Sequence, residues 1–167
     1  ASYTFDLEWK IDPAVPILPG SHVHTGSIAA TLPPGADVVR HLVEVARPFS
    51  TMSYDPNVRP SLMGDPGAAR ETIEAMVGLA DIVKASDEDL AWLYPGVAVA
   101  EALQAWASSG PALCVATHGG GPVTVLVAGQ LYEAPVRRVP VVDTVGAGDS
   151  FMAGFIAARS EAPEEEA

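Results

Sequence analysis

The stretch "DTVGAGDSFMAGF", Asp143 to Phe155, sets Gly146, Ala147 and Gly148 directly before an acid, Asp149, and then runs into an apolar helical pattern. A plain turn needs one glycine, whereas three small residues in a row clear side chains away so that several backbone N–H groups can face one point. The helix that follows adds its N-terminal partial positive charge there, and the combination suits an anion. Asp149 stands at the mouth, where a carboxylate can take the proton of an attacking hydroxyl, a role commonly worth about 10²–10⁴-fold in rate. The same string is also an acceptable helix start, with Asp149 as N-cap and the glycines serving a tight connection.

Upstream of this stretch, strand and helix patterns alternate. "YTFDLEW" (3–9) reads as a strand with one wet face, and "SHVHTGSIA" as a short strand ending at Gly26. "PPGADVVRHLVEVARP" is a helix with Val38, Leu42 and Val45 at helical spacing, and "TMSYDP" is a strand cut by Pro56. "DPGAARETIEAMVGLA" predicts a second amphipathic helix, "DIVKAS" an inner strand, and "DEDLAWLYPG" and "VAVAEALQAWASSG" helices closed by glycine. "ALCVATHGGG" is a strand entering a glycine-rich turn, and "PVTVLVAGQLYEAP" a hairpin pivoting at Gly129-Gln130, before a final helix from about Asp149. Alternation at this spacing predicts an α/β fold with a mostly parallel sheet and helices on both faces. Ligands of such sheets bind beyond the carboxyl ends of the strands, which points to Gly26-Ser27, Asp55 to Arg59, Lys84 to Asp89, Thr117 to Gly121 and Gly146 to Asp149.

The 167 residues suit one domain, and a hydrophobic fraction of 49% suffices for a core. The formal charge of −12 is inflated by the tail "SEAPEEEA", yet the remainder is acidic and has no basic run, which argues against nucleic acid or an anionic membrane as partner. No run approaches the ~20 apolar residues of a membrane helix. One cysteine, Cys114, forms no intrachain disulfide, which suits a reducing, cytoplasmic setting.

"DTVGAGDSFMAGF" closely resembles the second signature of the ribokinase-like, PfkB-type carbohydrate kinases, and other stretches agree in order. "SYDPNVRPSLM" resembles the Asp-x-Asn-x-Arg-Pro segment of the fructokinase and 2-keto-3-deoxygluconate kinase branch, and "VHTGSIA" the Gly-Ser strand end before it. The resemblance runs from about Tyr3 to Ala158, with 159–167 expected as a disordered acidic tail. It implies a ribokinase-like, Rossmann-type three-layer fold and an ATP-dependent kinase acting on a sugar, with fructose as the leading acceptor. Asp149 is then the base, and the backbone of Gly146, Ala147 and Gly148 the anion hole. Arg59 lies near the acceptor or the transferred phosphate, and Asn57 and Lys84 near the nucleotide phosphates. Thr117, Gly119 and Gly120 contact ATP, the loop containing Thr144 borders a monovalent cation such as K⁺, and Asp89 helps organise Mg²⁺ through water.

The resemblance also marks departures. Pro122 replaces the last glycine of the nucleotide loop, and proline fixes φ and lacks an N–H. The lid strands and Gly-Gly sugar signature of the family are not found, so the chain is expected to be a partial copy of the fold that self-associates through apolar surface. A sugar-acid kinase and a silent nucleotide-binding remnant are the alternatives. Lys84 has a second reading as a solvated strand-end lysine, Ser86 as a helix N-cap, and Arg59 as a surface salt-bridging side chain. Asp55 either orients Arg59 or begins the turn before Pro56. Trp92, Leu93 and Trp106 read as packing, Cys114 as a buried small hydrophobe, and His22 and His24 lack a third metal ligand.

Overall fold

A computed structural model describes residues 9–137 and 143–160, which divide into two units, Ala1–Val136 and Arg137–Ala167, each treated by itself. In the first unit six strands form one sheet in the order β1-β2-β3-β4-β5-β6. They are β1 (His22–Gly26), β2 (Thr51–Asp55), β3 (Ile82–Ser86), β4 (Leu113–Thr117), β5 (Val123–Val127) and β6 (Gln130–Ala134). β1 to β4 run parallel, while β5 and β6 are antiparallel additions. The connecting helices are α1 (Gly35–Ala46), α2 (Pro60–Met63), α3 (Pro66–Val77), α4 (Asp87–Leu93) and α5 (Val99–Ala107), and a 3-10 turn spans Ser27–Ala30. β2 and β3 are buried along nearly their whole length, as parallel strands covered on both faces are.

Helix starts follow local chemistry. Asp65 caps α3 by accepting the Ala68 N–H at 2.9 Å, and Pro66 takes the first helical position, where its missing N–H costs nothing. Ser86 caps α4 in a reciprocal box with Asp89, so the N-cap reading of Ser86 holds. Buried residues of α1, α3, α4 and α5 share one cluster with Met52, Tyr54, Val83, Ala85, Cys114, Ala116 and Leu126, which are alternate strand positions. These helices therefore cover one face of the sheet. The opposite face carries Ser53, Asp55, Ile82, Lys84 and Val115, all buried.

Three expectations shift. The buried side of α1 is Ala36, Val39, Val43 and Ala46, whereas Val38 and Leu42 are half-buried and Val45 is exposed. Small alanines let the helix backbone approach the sheet, and a spacing count that favours large residues overlooks them. The hairpin pivots at Ala128-Gly129, one residue earlier than expected, because Val127 still pairs with Gln130. Both turn residues take positive φ (48° and 74°), the geometry that matches the twist of the flanking strands. The third concerns the start of the chain: Tyr3 to Glu8 lie outside the described residues, and Trp9 makes a single bridge to Pro34.

The second unit contains helix α6 (Ala147–Ser160). It begins two residues before the expected start and runs two residues into the segment read as a tail, of which 161–167 lie outside the described residues. Among the described residues, no helix is long and apolar enough to cross a membrane.

At the carboxyl end of β1, Gly26 pairs with Asp55, and a Cβ there would run into the Asp55 carbonyl oxygen. Gly26→Ala should destabilise the protein by about 1–3 kcal/mol through this overlap. Gly120→Ala, whose Cβ meets nothing within 4 Å, should leave thermal unfolding nearly unchanged.

Candidate functional site

At the ends of β2 and β3 two acids and a lysine form a buried polar knot. Lys84 Nζ lies 2.9 Å from Asp55 Oδ2, with side-chain exposures of 5% and 4%. Lys84 is thus an ion-paired interior residue rather than a solvated strand-end lysine. Burial pushes the Asp55 carboxyl above its ordinary range, and the Lys84 charge and hydrogen bond oppose that rise. The other oxygen of Asp55 accepts the Asn57 N–H at 3.0 Å, so Asp55 shapes the turn after β2 rather than bonding Arg59.

Asp89 holds the next residue of that turn. Its Oδ1 accepts the Val58 N–H at 2.8 Å and its Oδ2 the Ser86 N–H at 2.9 Å. Each carboxylate oxygen of Asp89 is therefore engaged by backbone, with remaining lone pairs as its capacity for a water. Asn57 adopts φ 37°, and the Ser27 hydroxyl donates to its carbonyl at 3.1 Å, joining the ends of β1 and β2. Arg59 folds back over this turn: Nη1 donates to Asn57 Oδ1 at 2.7 Å, to Val58 O at 3.0 Å and to Asn57 O at 3.1 Å. Among the described residues no carboxylate pairs with it, so its preorganised fork stays exposed.

The turn after β4 is built on His118. The Gly121 N–H donates to the His118 carbonyl at 2.8 Å, and Gly119 takes φ 54° as the first central residue. A Cβ at Gly119 or Gly120 would meet nothing within 4 Å, so the backbone there is open to a ligand. Thr117 at the strand end is half-buried, its hydroxyl 3.5 Å from Ala85 O. The His118 ring bridges Asp87 Oδ2 at 3.2 Å and Thr124 Oγ1 at 2.9 Å. Asp87 and His118 fall within strand-end stretches singled out in the sequence, but the sequence assigns neither a role and does not single out Thr124, because their meeting depends on sheet register. The available signal was a histidine between a strand end and three glycines.

In the second unit, Asp143 Oδ1 accepts the Val145 N–H at 2.9 Å, and Thr144 O accepts that of Ala147 at 3.1 Å. Gly146 has φ 76°, a conformation only glycine takes without strain. Because α6 starts at Ala147, Gly146 occupies the N-cap position and Asp149 the third helical residue. The N-cap reading of Asp149 is therefore displaced, and its exposed carboxylate accepts no hydrogen bond among the described residues. Among the described residues, the N–H groups of Gly148 and Asp149 in the first helical turn have no backbone acceptor.

The tempting side features resolve as packing or local bonding. Cys114 is buried, and burial pushes its thiol up to about 12. Leu93 and Trp106 lie in the core, and Trp92 packs against it. His22 and His24 share the Ser53 hydroxyl, at 2.7 and 2.8 Å, and no group of three metal-binding side chains occurs among the described residues.

Removing one member of a buried ion pair leaves the other uncompensated, so Lys84→Met should cost about 3–5 kcal/mol of stability at neutral pH. Without Lys84 the folded-state pKa of Asp55 rises further above its unfolded value. The loss should therefore shrink as pH falls and Asp55 takes up its proton. Lys84→Met with Asp55→Asn should recover most of it, read from denaturant midpoints at several pH values.

Residues 7–167 match the family model described as pfkB family carbohydrate kinase. The chain is 32% identical over 154 residues to a fructokinase of Klebsiella pneumoniae, covering 91% of this chain and 50% of that protein. It is 33% identical over 150 residues to the 2-dehydro-3-deoxygluconokinase of Bacillus subtilis, covering 81% and 43%. The fructokinase of Vibrio cholerae O395, in its fructose, ADP and calcium ion bound form, matches with a TM-score of 0.80 at 29% identity, over 88% of this chain and 49% of that one. The chain spans about half the length of these relatives. A sheet of mostly parallel strands with this order, and a family match running through both units, lead to one conclusion: the chain belongs to the PfkB family of carbohydrate kinases.

Proposed function

We propose that this chain carries the phosphoryl-transfer part of an ATP-dependent sugar kinase with fructose as acceptor. The observation that carries the reading is the start of α6, where an unengaged carboxylate, Asp149, stands beside unsatisfied backbone N–H groups. A hydroxyl oxygen of the sugar attacks the γ-phosphorus, the bond to the ADP oxygen breaks, and the hydroxyl proton goes to Asp149. Gly146, Ala147 and Gly148 form the anion hole in this reading: the Ala147 N–H is held by Thr144 O, and the Gly148 N–H is left for the charge that develops on the transferring group, where a fixed donor lowers the barrier.

On the first unit, Asn57 and the Thr117, Gly119 and Gly120 turn take the nucleotide, a role supported by the open space around the glycines. Lys84 acts from within its ion pair, setting the turn that carries Asn57 and Arg59. Arg59 offers the exposed edge of its guanidinium to the acceptor or the transferred phosphate. Mg²⁺, when bound, would offset the negative charge of the nucleotide phosphates. Asp89 would be an outer contact to that ion through water, using the lone pairs its backbone bonds leave. A monovalent cation at the Asp143-Thr144 bend, self-association through exposed Leu131 and Tyr132 of β6, and a cytoplasmic setting complete the proposal.

The second reading, a sugar-acid kinase, draws on the Bacillus subtilis relative and on Arg59, whose fork suits a carboxylate. Sugar-dependent ADP release with fructose and with 2-keto-3-deoxygluconate separates the two. Asp149→Asn should lower turnover at least ~10²-fold while nucleotide affinity stays within a few fold. Unchanged turnover would remove Asp149 from the mechanism, and turnover with the acid alone would replace fructose as acceptor.

A further inference from the structure

We infer that His118 is a positioning residue that fixes the glycine turn after β4 for a nucleoside phosphate, an inference resting on the nucleotide reading above. Two independent elements hold its ring. Asp87, the first residue of α4, accepts from Nδ1, since a carboxylate can only accept. That places a proton on Nδ1, and Nε2 pairs with the Thr124 hydroxyl on β5, which can donate or accept. Thr124 faces this ring because it pairs with Ala116, two residues before His118 on the neighbouring strand.

The backbone of the same residue forms the base of the turn. Its carbonyl receives the Gly121 N–H, and a Cβ on Gly121 would sit 3.1 Å from that oxygen and 3.2 Å from the His118 Cβ. The turn therefore closes tightly on His118, while the outer side of Gly119 and Gly120 is open. Three flexible glycines would otherwise pay a large ordering cost on binding. The ring transfers rigidity from α4 and β5 to them. Through Asp87 the turn is also tied to the helix whose Asp89 holds the β2 turn, so the two loops share one support.

The test uses the full chain and three variants, His118→Ala, Thr124→Val and Thr124→Ser. Amide hydrogen exchange across 117–122 reads the anchoring without nucleotide, and calorimetry with MgADP reads the consequence. His118→Ala and Thr124→Val should speed exchange of the Gly121 amide and weaken MgADP about tenfold, whereas Thr124→Ser, which keeps the hydroxyl, should match the parent chain. Exchange within α5 should stay unchanged, which separates a local anchor from general destabilisation. Unaltered Gly121 exchange in His118→Ala would overturn the anchoring. Faster exchange with unaltered MgADP affinity would overturn the positioning role. A parent chain that binds no MgADP, with a protected turn, would refute the nucleotide reading and its dependent role for His118 while leaving the anchor itself established.

Discussion

The ion pair between Lys84 and Asp55 is the constraint on which the strand-end architecture rests. Two opposite charges withdrawn from water on adjacent strands recover little net energy unless every remaining polar site is bonded. Here the second oxygen of Asp55 is used on the Asn57 N–H, and Asp89 takes the Val58 N–H and the Ser86 N–H. Desolvation is thereby converted into geometry, because a turn with Asn57 at positive φ has its next N–H groups held by carboxylates from two different elements. Tyr54 shows the cost of such surroundings. Its buried hydroxyl has no hydrogen-bond partner among the described residues, and burial, then the charges of Asp55 and Asp89, raise its pKa.

What the sequence makes legible follows from the range of the interactions involved. The strands and helices of the first unit are set by local patterns and caps, such as Asp65 before Pro66 or Ser86 three residues before Asp89, and these read directly. The buried face of α1 is less legible, since Ala36 and Ala46 are chosen by closeness to the sheet and not by hydrophobic size. Register is the hardest. Lys84 and Asp55 were each visible as strand-end residues, but their contact depends on Ser53 aligning with Ile82, which no local rule dictates. The same holds for His118 and Thr124, six residues apart and brought together by one antiparallel pairing.

The acids of the chain divide by how they are used. Each oxygen of Asp55 and Asp89 is engaged, and one oxygen of Asp143 holds its own bend. A carboxylate so committed holds backbone in place, and using it on a substrate would break the bonds it maintains. Asp149 differs because glycine, not an acid, occupies the N-cap of α6, so no side chain is consumed in capping. The glycine that gives the turn its positive φ thus leaves the nearby acid available for chemistry, at the point where the helix leaves its own N–H groups unsatisfied. One local choice, Gly146, therefore sets both halves of the proposed reaction centre: where the backbone donors face, and that Asp149 remains free to accept a proton.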